Sequence, residues 1–256
     1  MHGDAPHLVL APTSIKDILT TTEWSVYLAE YLQTAAIVLT DQLLGQAQTV
    51  IDVPDIRVEP LARMRAVPDQ DSGYTRYALT DNHISPMSCP GEAGGQYTAD
   101  GLEHTPRCTP SSFASDHLAQ SEKRLNKLLE FDYGPMWADI SGEEDAETVL
   151  LTWGSTHAAV KEAAHRLRLQ GQRVKVVAIR LLAPLRVDAL HREIAHAQQV
   201  IVVELNQSGQ LAQLLYSEQV LPQGSPVLCR PGPLFFRPGE IVSYVRNLQG
   251  EKKDAA

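Results

Sequence analysis

Continuous apolar runs followed by short polar turns mark the C-terminal part of the sequence. Residues 200–215 are the best-formed example: four successive branched apolar residues lead into Glu204-Leu205-Asn206, the chain turns near Gly209, and an apolar helical pattern follows. A strand that is buried on both faces has a continuous apolar run instead of an alternating one. This stretch therefore predicts a buried parallel strand, a loop at its carboxyl end and a helix.

The same pattern repeats over residues 146–250. Strands are predicted at 149–153, 174–182, 200–203 and 226–229, and a helix with apolar residues on one face follows each of them. Such an alternation of strands and helices is typical of an α/β domain with a parallel sheet. We therefore predict one complete doubly wound α/β domain over these residues, followed by a tail at 251–256.

A shorter β-α-β pattern opens the chain, with strands predicted at 8–12 and 35–41 that should be parallel. The helix between them begins near Ser14, with Asp17 three residues later as a capping partner. One face of this helix is predicted to contain Ile15, Ile18, Leu19, Thr22, Val26 and Ala29. Two strands and one helix cannot cover both faces of a sheet, so either residues before Met1 are missing or another chain completes the layer.

Residues 46–145 have a different character. Prolines and a glycine-rich stretch at 91–95 interrupt the segment, and few periodic apolar patterns remain. A connection of this length is normally functional or ordered by contact with another surface. One helix is predicted at 114–131, and residues 139–145 are predicted to be an acidic linker.

Composition narrows the class of partner. With 22 Lys and Arg against 31 Asp and Glu, the net charge is −9, which argues against nucleic acid or an anionic membrane as the main partner. No apolar run approaches the roughly 20 residues of a membrane helix, and the start has no signal-peptide pattern. The three cysteines, Cys89, Cys108 and Cys229, are widely spaced, which predicts neither a disulfide framework nor a metal site and indicates a reducing cytoplasm.

Gly154, Ser155 and Thr156 lie between a predicted strand and a predicted helix. Backbone amides at a helix N-terminus, together with two hydroxyls, could hold a phosphate or carboxylate. An ordinary helix N-cap explains the same residues. The sequence has no glycine-rich dinucleotide or P-loop motif that would decide between the two interpretations.

Glu204 and Asn206 follow the strand at 200–203, where ligands and partners of parallel sheets often bind. They could contact a partner or ligand, or they could form the turn together with Gly209. His191 and His196 are five residues apart on a predicted helix, which places them on different faces. We predict that both are surface residues and that the chain holds no metal.

Glu103 and His104 pair an acid with an imidazole inside the long connection, which makes them candidates for the edge of a polar site. His2 and Asp4 form a similar pair near the start of the chain. The run at 123–127, with Lys123, Arg124 and Lys127, gives one helix a short basic face. A solvated surface is the ordinary interpretation of that face, and docking of an acidic partner such as ferredoxin is the alternative.

Taken in order, several segments resemble the alpha subunit of 2-oxoacid:ferredoxin oxidoreductases. They are His2-Gly3-Asp4-Ala5-Pro6, Thr40-Asp41-Gln42-Leu43-Leu44-Gly45, Arg76-Tyr77-Ala78-Leu79-Thr80, Gly101-Leu102-Glu103-His104, Trp153-Gly154-Ser155-Thr156 and residues 202–211. The series covers nearly the whole chain and is most similar to the 2-oxoglutarate branch. The resemblance implies an incomplete pyrimidine-side domain at 1–45, a connecting segment at 46–145 and a transketolase-C-terminal-like domain at 146–250.

Members of this family decarboxylate a 2-oxoacid oxidatively, transfer the acyl group to coenzyme A and reduce ferredoxin, with thiamine diphosphate as the organic cofactor. The resemblance implies a partner beta subunit that carries thiamine diphosphate and a 4Fe–4S cluster, with coenzyme A as co-substrate and no cofactor bound by this chain alone. It also implies that His2, Asp4, Glu103 and His104 lie at the edge of the site.

The resemblance is incomplete at the start. The family's substrate-shaping segments and its cofactor-activating glutamate precede the position that corresponds to Met1, so the catalytic residues are not identified and the chain alone is expected to be inactive. Two other functions remain open. One is a non-catalytic assembly or regulatory module of the same fold, and the other is a small-ligand binder that uses Gly154, Ser155 and Thr156.

Overall fold

A computed structural model describes residues 6–52, 63–68 and 73–254. The strands are β1 (Leu8–Leu10), β2 (Ala36–Val38), β3 (Ala138–Ser141), β4 (Thr148–Trp153), β5 (Val174–Ile179), β6 (Leu181–Ala183), β7 (Gln199–Glu204) and β8 (Val227–Cys229). The helices are α1 (Ile15–Tyr31), α2 (Gln42–Gln46), α3 (Ala114–Leu129), α4 (Thr156–Leu169), α5 (Val187–Ile194), α6 (Gln210–Ser217) and α7 (Pro238–Asp254). None of the described helices is both long and apolar enough to cross a membrane.

The chain divides into two compact units. The first unit contains residues 1–9, 22–37 and 55–133, and the second contains residues 10–21, 38–54 and 134–256. The boundary passes through β1, α1 and β2. Strands β2, β1 and β6 form a three-stranded sheet in that order. The predicted β-α-β pattern places β1 and β2 in one sheet, and they are neighbours there.

A five-stranded sheet organises the second unit. Its order is β3-β5-β4-β7-β8, with β5, β4, β7 and β8 parallel and β3 antiparallel at one edge. In the centre, Leu150 of β4 is in register with Val176 of β5 and Ile201 of β7. Every residue of β5 and β7 is buried, which confirms the prediction from continuous apolar runs. Helices α4 and α7 contribute Val160, Leu167 and Val245 to the core on this sheet.

Three predictions around this sheet are wrong in detail. Residues 174–182 do not form one strand, because the chain leaves the large sheet at Arg180 and continues as β6 in the three-stranded sheet. Residues 139–145 are not a linker throughout, since Ala138–Ser141 forms the edge strand β3. Helix α7 continues to Asp254, into the predicted tail.

The predicted face of α1 is also wrong. Leu19 and Val26 are 46% and 47% exposed, whereas Thr21, Trp24 and Leu28 are buried. The buried positions keep a helical spacing, but they include the polar Thr21, so the hydrophobic pattern did not reveal this face. Strand β2, predicted to be buried, is half exposed.

The first unit combines α3, the C-terminal part of α1 and a long connection. The helix predicted at 114–131 is confirmed as α3. Side-chain bonds to the backbone order the connection: the Tyr74 hydroxyl donates to the Pro86 carbonyl at 2.8 Å, and the Ser88 hydroxyl donates to the Gly95 carbonyl at 2.6 Å. A side chain at Gly95 would come within 2.8 Å of Ser88 Cβ, so the close approach of these loops requires glycine there.

Candidate functional site

The predicted site residues lie in separate places. His2 and Asp4 fall outside the described residues. Glu103 and His104 lie in the first unit, in the connection before α3. Gly154, Ser155, Thr156, Glu204 and Asn206 lie in the second unit, at the carboxyl ends of β4 and β7.

Glu204 and Asn206 cap the N-terminus of α6. The fully buried Glu204 carboxylate accepts hydrogen bonds from the Leu211 and Ala212 amides at 2.7 and 3.0 Å. It also accepts one from the Asn206 side-chain amide at 2.6 Å. The Asn206 oxygen in turn accepts from the Gly209 amide at 2.8 Å. These bonds satisfy the free amides at the start of the helix, so the turn interpretation accounts for both residues.

Ser155 is likewise committed to a local contact. Its hydroxyl donates to Asp41 Oδ2, while Asp41 Oδ1 accepts from the Leu44 amide at 3.0 Å and caps α2. The two loops enclose a small pocket of about 100 Å³, which Gly154 and Thr156 help to line. An anion in this pocket would lie beside the Asp41 carboxylate and be repelled by it. The geometry therefore favours a neutral or donor-bearing ligand over a phosphate.

Glu103 and His104 are adjacent in sequence but point to different neighbours. The Glu103 carboxylate receives two bonds from the Arg124 guanidinium, at 2.8 and 3.2 Å, and lies 3.1 Å from His117 Nδ1. Burial opposes ionisation of Glu103, but the bonds from Arg124 and His117 outweigh it and hold its pKa below the ordinary value. The carboxylate thus anchors the connection to α3.

The buried His104 ring stacks on Tyr77 at 4.6 Å between centroids, with 21° between the planes. Its Nε2 lies 3.3 Å from Asp100 Oδ1 without a well-formed hydrogen bond. His104 is therefore a packed side chain whose nearest acidic neighbour is Asp100, and it does not act with Glu103 as a pair.

The first unit contains a basic cavity that was not predicted from the sequence. Arg76, Lys123, Arg124 and Lys127 line a cavity of about 170 Å³ between α3 and the connection. Lys123, predicted to be solvated, is only 9% exposed, and its ammonium donates to Ser85 Oγ at 2.9 Å and to the Tyr77 carbonyl at 3.1 Å. The interpretation of residues 123–127 as a solvated face is therefore wrong for Lys123.

The electrostatics of the basic cavity are unusual. Burial, followed by repulsion from Lys127 and Arg76, lowers the pKa of Lys123 to about 8. Burial and repulsion from Arg76 and Arg124 lower the pKa of Lys127 to about 8 as well. The sequence signal was the spacing of the two lysines at i and i+4 on α3, which places both on one helix face. Nothing in the pattern placed Arg76 beside them.

A second buried histidine, not predicted as functional, lies in the first turn of α4. His157 Nε2 is 3.8 Å from Asp139 Oδ1 and has no hydrogen-bond partner among the described residues. Burial lowers the pKa of His157 below its ordinary value, although Asp139 acts in the opposite direction. His191 and His196 are exposed, as predicted.

Comparison with known proteins relates this architecture to one family. Residues 146–221 match the family described as pyruvate:ferredoxin oxidoreductase core domain II. The match begins just before β4 and extends beyond α6, so it covers most of the five-stranded sheet of the second unit.

Curated relatives extend the similarity over most of the chain. Subunit alpha of 2-oxoacid:ferredoxin oxidoreductase 2 from Aeropyrum pernix is 29% identical over 244 residues, covering 91% of this chain and 37% of that protein. The 2-oxoglutarate oxidoreductase subunit KorA of Mycobacterium tuberculosis is 28% identical over 248 residues, with shares of 96% and 37%. The chain spans about a third of the length of such relatives.

A solved structure shows the same fold. The 2-oxoglutarate:ferredoxin oxidoreductase from Magnetococcus marinus, with 2-oxoglutarate, coenzyme A and succinyl-CoA bound, matches with a TM-score of 0.81 and 32% identity, over 96% of this chain and 43% of that chain. The fold thus defines an α/β protein of the kind found in 2-oxoacid oxidoreductases. Within that class, the chain is similar over nearly all of its length to the alpha subunits of 2-oxoacid:ferredoxin oxidoreductases, which confirms the resemblance.

Proposed function

We propose that this chain is part of the alpha subunit of a 2-oxoacid:ferredoxin oxidoreductase and works in complex with a beta subunit. The observation that carries the proposal is the match of 96% of the chain to the Magnetococcus marinus enzyme at a TM-score of 0.81. That enzyme and the Mycobacterium tuberculosis relative are both named for 2-oxoglutarate. We therefore propose 2-oxoglutarate as the substrate, coenzyme A as the acyl acceptor and ferredoxin as the electron acceptor.

The described residues of this chain offer no ligand set for an iron–sulfur cluster. Over the described ranges, no group of three His, Cys, Asp or Glu side chains is arranged to hold a metal ion. The sequence contains three cysteines, whereas a 4Fe–4S cluster takes four thiolates. We propose that the beta subunit holds both thiamine diphosphate and the cluster.

The free thiols of this chain are consistent with a reducing compartment. Cys89, Cys108 and Cys229 are all unpaired, and disulfides are uncommon in reducing compartments. We propose that the complex works in the cytoplasm. We propose a structural and interfacial role for this chain there. The side chains of Glu204, Asn206 and Ser155 are committed to capping and loop contacts within the chain, which is consistent with a structural contribution of these residues.

Reconstitution tests the proposed function. The chain is purified alone and together with its beta subunit, and reduction of a redox dye is followed with 2-oxoglutarate and coenzyme A present. We expect turnover only from the complex, and less with pyruvate as the matched control substrate.

Turnover by the isolated chain would contradict the proposal. A stable complex that turns over no 2-oxoacid would favour a non-catalytic assembly or regulatory module instead. Omission of coenzyme A provides the control for acyl transfer.

A further inference from the structure

Three positive charges converge in the basic cavity, and the carboxylate that acts on Lys123, that of Glu103, is bonded to a fourth cation. Arg76, Lys123 and Lys127 line the cavity, and within the described part of the chain their hydrogen-bond acceptors are all neutral groups. The fourth cation, Arg124, is already paired with Glu103 at 2.8 Å. The excess positive charge of this cavity therefore belongs to the first three side chains.

Crowding of like charges away from water is unfavourable unless a counter-charge is present. Burial and repulsion from neighbouring cations, with Arg76 and Arg124 acting on both side chains, lower the pKa of Lys123 and of Lys127 to about 8. A bound anion would reverse the repulsion. The free cavity is thus electrostatically prepared for a negative ligand.

Lys127 and Arg76 also retain donors for such a ligand. Among the described residues, the Lys127 ammonium has one acceptor, the Gln33 carbonyl at 3.4 Å, although an ammonium has three N–H groups. The Arg76 guanidinium uses Nη2 on Gln33 Oε1 at 2.6 Å and Nη1 on the Ser85 carbonyl at 3.4 Å. Guanidinium offers five N–H donors, so several remain for an anion.

The surrounding contacts hold these groups in place before any ligand arrives. The Arg76 guanidinium lies 5.6 Å from the centre of the Tyr77 ring and 5.7 Å from that of Tyr97, within the range of cation–π contacts. Lys123 is fixed by Ser85 and Tyr77, so it acts as a positioning residue that adds charge. Preorganised donors bind more tightly because less side-chain freedom is lost on binding.

We propose that Arg76 and Lys127, supported by Lys123, bind an anion of the phosphate class. The cavity volume of about 170 Å³ equals that of about five or six water molecules, at roughly 30 Å³ each, which leaves room for one phosphoryl group. A phosphate monoester carries roughly −1.5 to −2 charges at neutral pH, which offsets most of the excess positive charge. The site lies entirely within the first unit and does not depend on turnover by the complex.

Calorimetric titration of the full chain with inorganic phosphate, sulfate and ADP tests the site. 2-Oxoglutarate serves as the dicarboxylate comparison. The test variants are Lys127→Met and Lys127→Gln, the latter keeping the polar contact to the Gln33 carbonyl. The matched control is Lys161→Met, which removes an exposed lysine of α4 in the second unit. Circular dichroism establishes that each variant is folded.

We expect both Lys127 variants to weaken phosphate and sulfate binding by at least about tenfold, since a bond to a charged group is lost, while the Lys161 control keeps wild-type affinity. Tighter binding of ADP than of phosphate would identify a phosphorylated nucleotide as the source of the group, and the reverse order would identify free phosphate. Absence of binding by the wild type, equal binding by the Lys127 variants, or preference for 2-oxoglutarate over sulfate would overturn the proposal.

Discussion

The Arg180 guanidinium and the Asp17 carboxylate form a buried ion pair between residues 163 positions apart in the sequence, with Nη2 and Oδ1 separated by 2.9 Å. Asp17 also accepts bonds from the Thr13 amide at 2.8 Å and from the Thr13 hydroxyl at 3.0 Å. Because Arg180 lies between β5 and β6, the pair ties the first turn of α1 to the point where the chain changes sheets.

We predict that Asp17→Ala lowers the free energy of unfolding by about 3–5 kcal/mol, because it leaves a buried guanidinium without a counter-charge. Urea unfolding at neutral pH measures the effect. Glu162→Ala, which removes the exposed pair with Arg166, provides the control and should change stability little. A loss of less than about 1 kcal/mol in Asp17→Ala would show that the buried pair is not a major stabilising contact.

Replacement of Glu204 tests its capping role. Glu204→Gln has the same size but one acceptor oxygen, so one of the Leu211 and Ala212 amides loses its partner. We expect a loss of about 1–3 kcal/mol in unfolding free energy. The exposed Glu218→Gln variant is the matched control, and the shift in the urea midpoint is the measurement. If Glu204→Gln left stability unchanged but abolished turnover of the complex, the partner-site interpretation would be favoured.

His157 should make the second unit sensitive to acid. Burial lowers its folded-state pKa, so the unfolded state takes up a proton more readily, and the stabilising contribution is present above about pH 6.5 and lost as pH falls below it. Nearby charges are Asp139 and Asp17, which favour protonation, and Lys161, which opposes it. We expect the fall in unfolding free energy from pH 7 to pH 5 to be smaller in His157→Gln than in the wild type.

The exposed His165→Gln variant serves as the control for this comparison, and it should keep the pH dependence of the wild type. Chemical unfolding at several pH values is the measurement. Parallel curves for His157→Gln and the wild type would contradict the prediction.

Anion binding to the basic cavity should weaken as pH rises. The pKa values of Lys123 and Lys127 are about 8, so both lose charge between pH 7 and pH 9. Sulfate suits the measurement, because its own charge is constant over this range. We expect the sulfate affinity to fall steadily through pH 8, and to fall less steeply in Lys127→Gln.

The other groups around the basic cavity do not account for such a change. Guanidinium groups are not deprotonated in proteins, and the bonds from Arg124 and His117 hold the pKa of Glu103 low. Burial raises the pKa of Tyr77, so this side chain stays neutral. His83 is occupied by Glu130 at 3.1 Å. A sulfate affinity independent of pH would therefore show that the lysines do not face the ligand.

Local patterns predicted the parallel strands of the second unit because a strand buried on both faces has a continuous apolar run in the sequence. The run at 200–203 became β7, and Glu204, Asn206 and Gly209 became the cap and turn that follow it. The helix predicted at 114–131 became α3, although Leu118, Leu125 and Leu129 of its predicted apolar positions are exposed and only Leu128 is buried.

Predictions failed where a distant partner decided the outcome. Residues 174–182 were predicted as one strand, but the chain changes sheets at Arg180, whose guanidinium pairs with Asp17 from another part of the chain. The buried face of α1 was hidden because polar residues, Asp17 and Thr21, occupy two of its positions. In the same way, the basic cavity required Arg76 to approach α3 over a separation of about 50 residues, which no local pattern records.

The sequence by itself determined the parallel strands of the second unit, the helices that follow them and the family resemblance, because these depend on periodicity and on short ordered segments. The tertiary structure alone decided which charges are buried and which cations share a cavity. Burial and electrostatics depend on distances between residues far apart in the chain, and such distances exist only once the chain has folded.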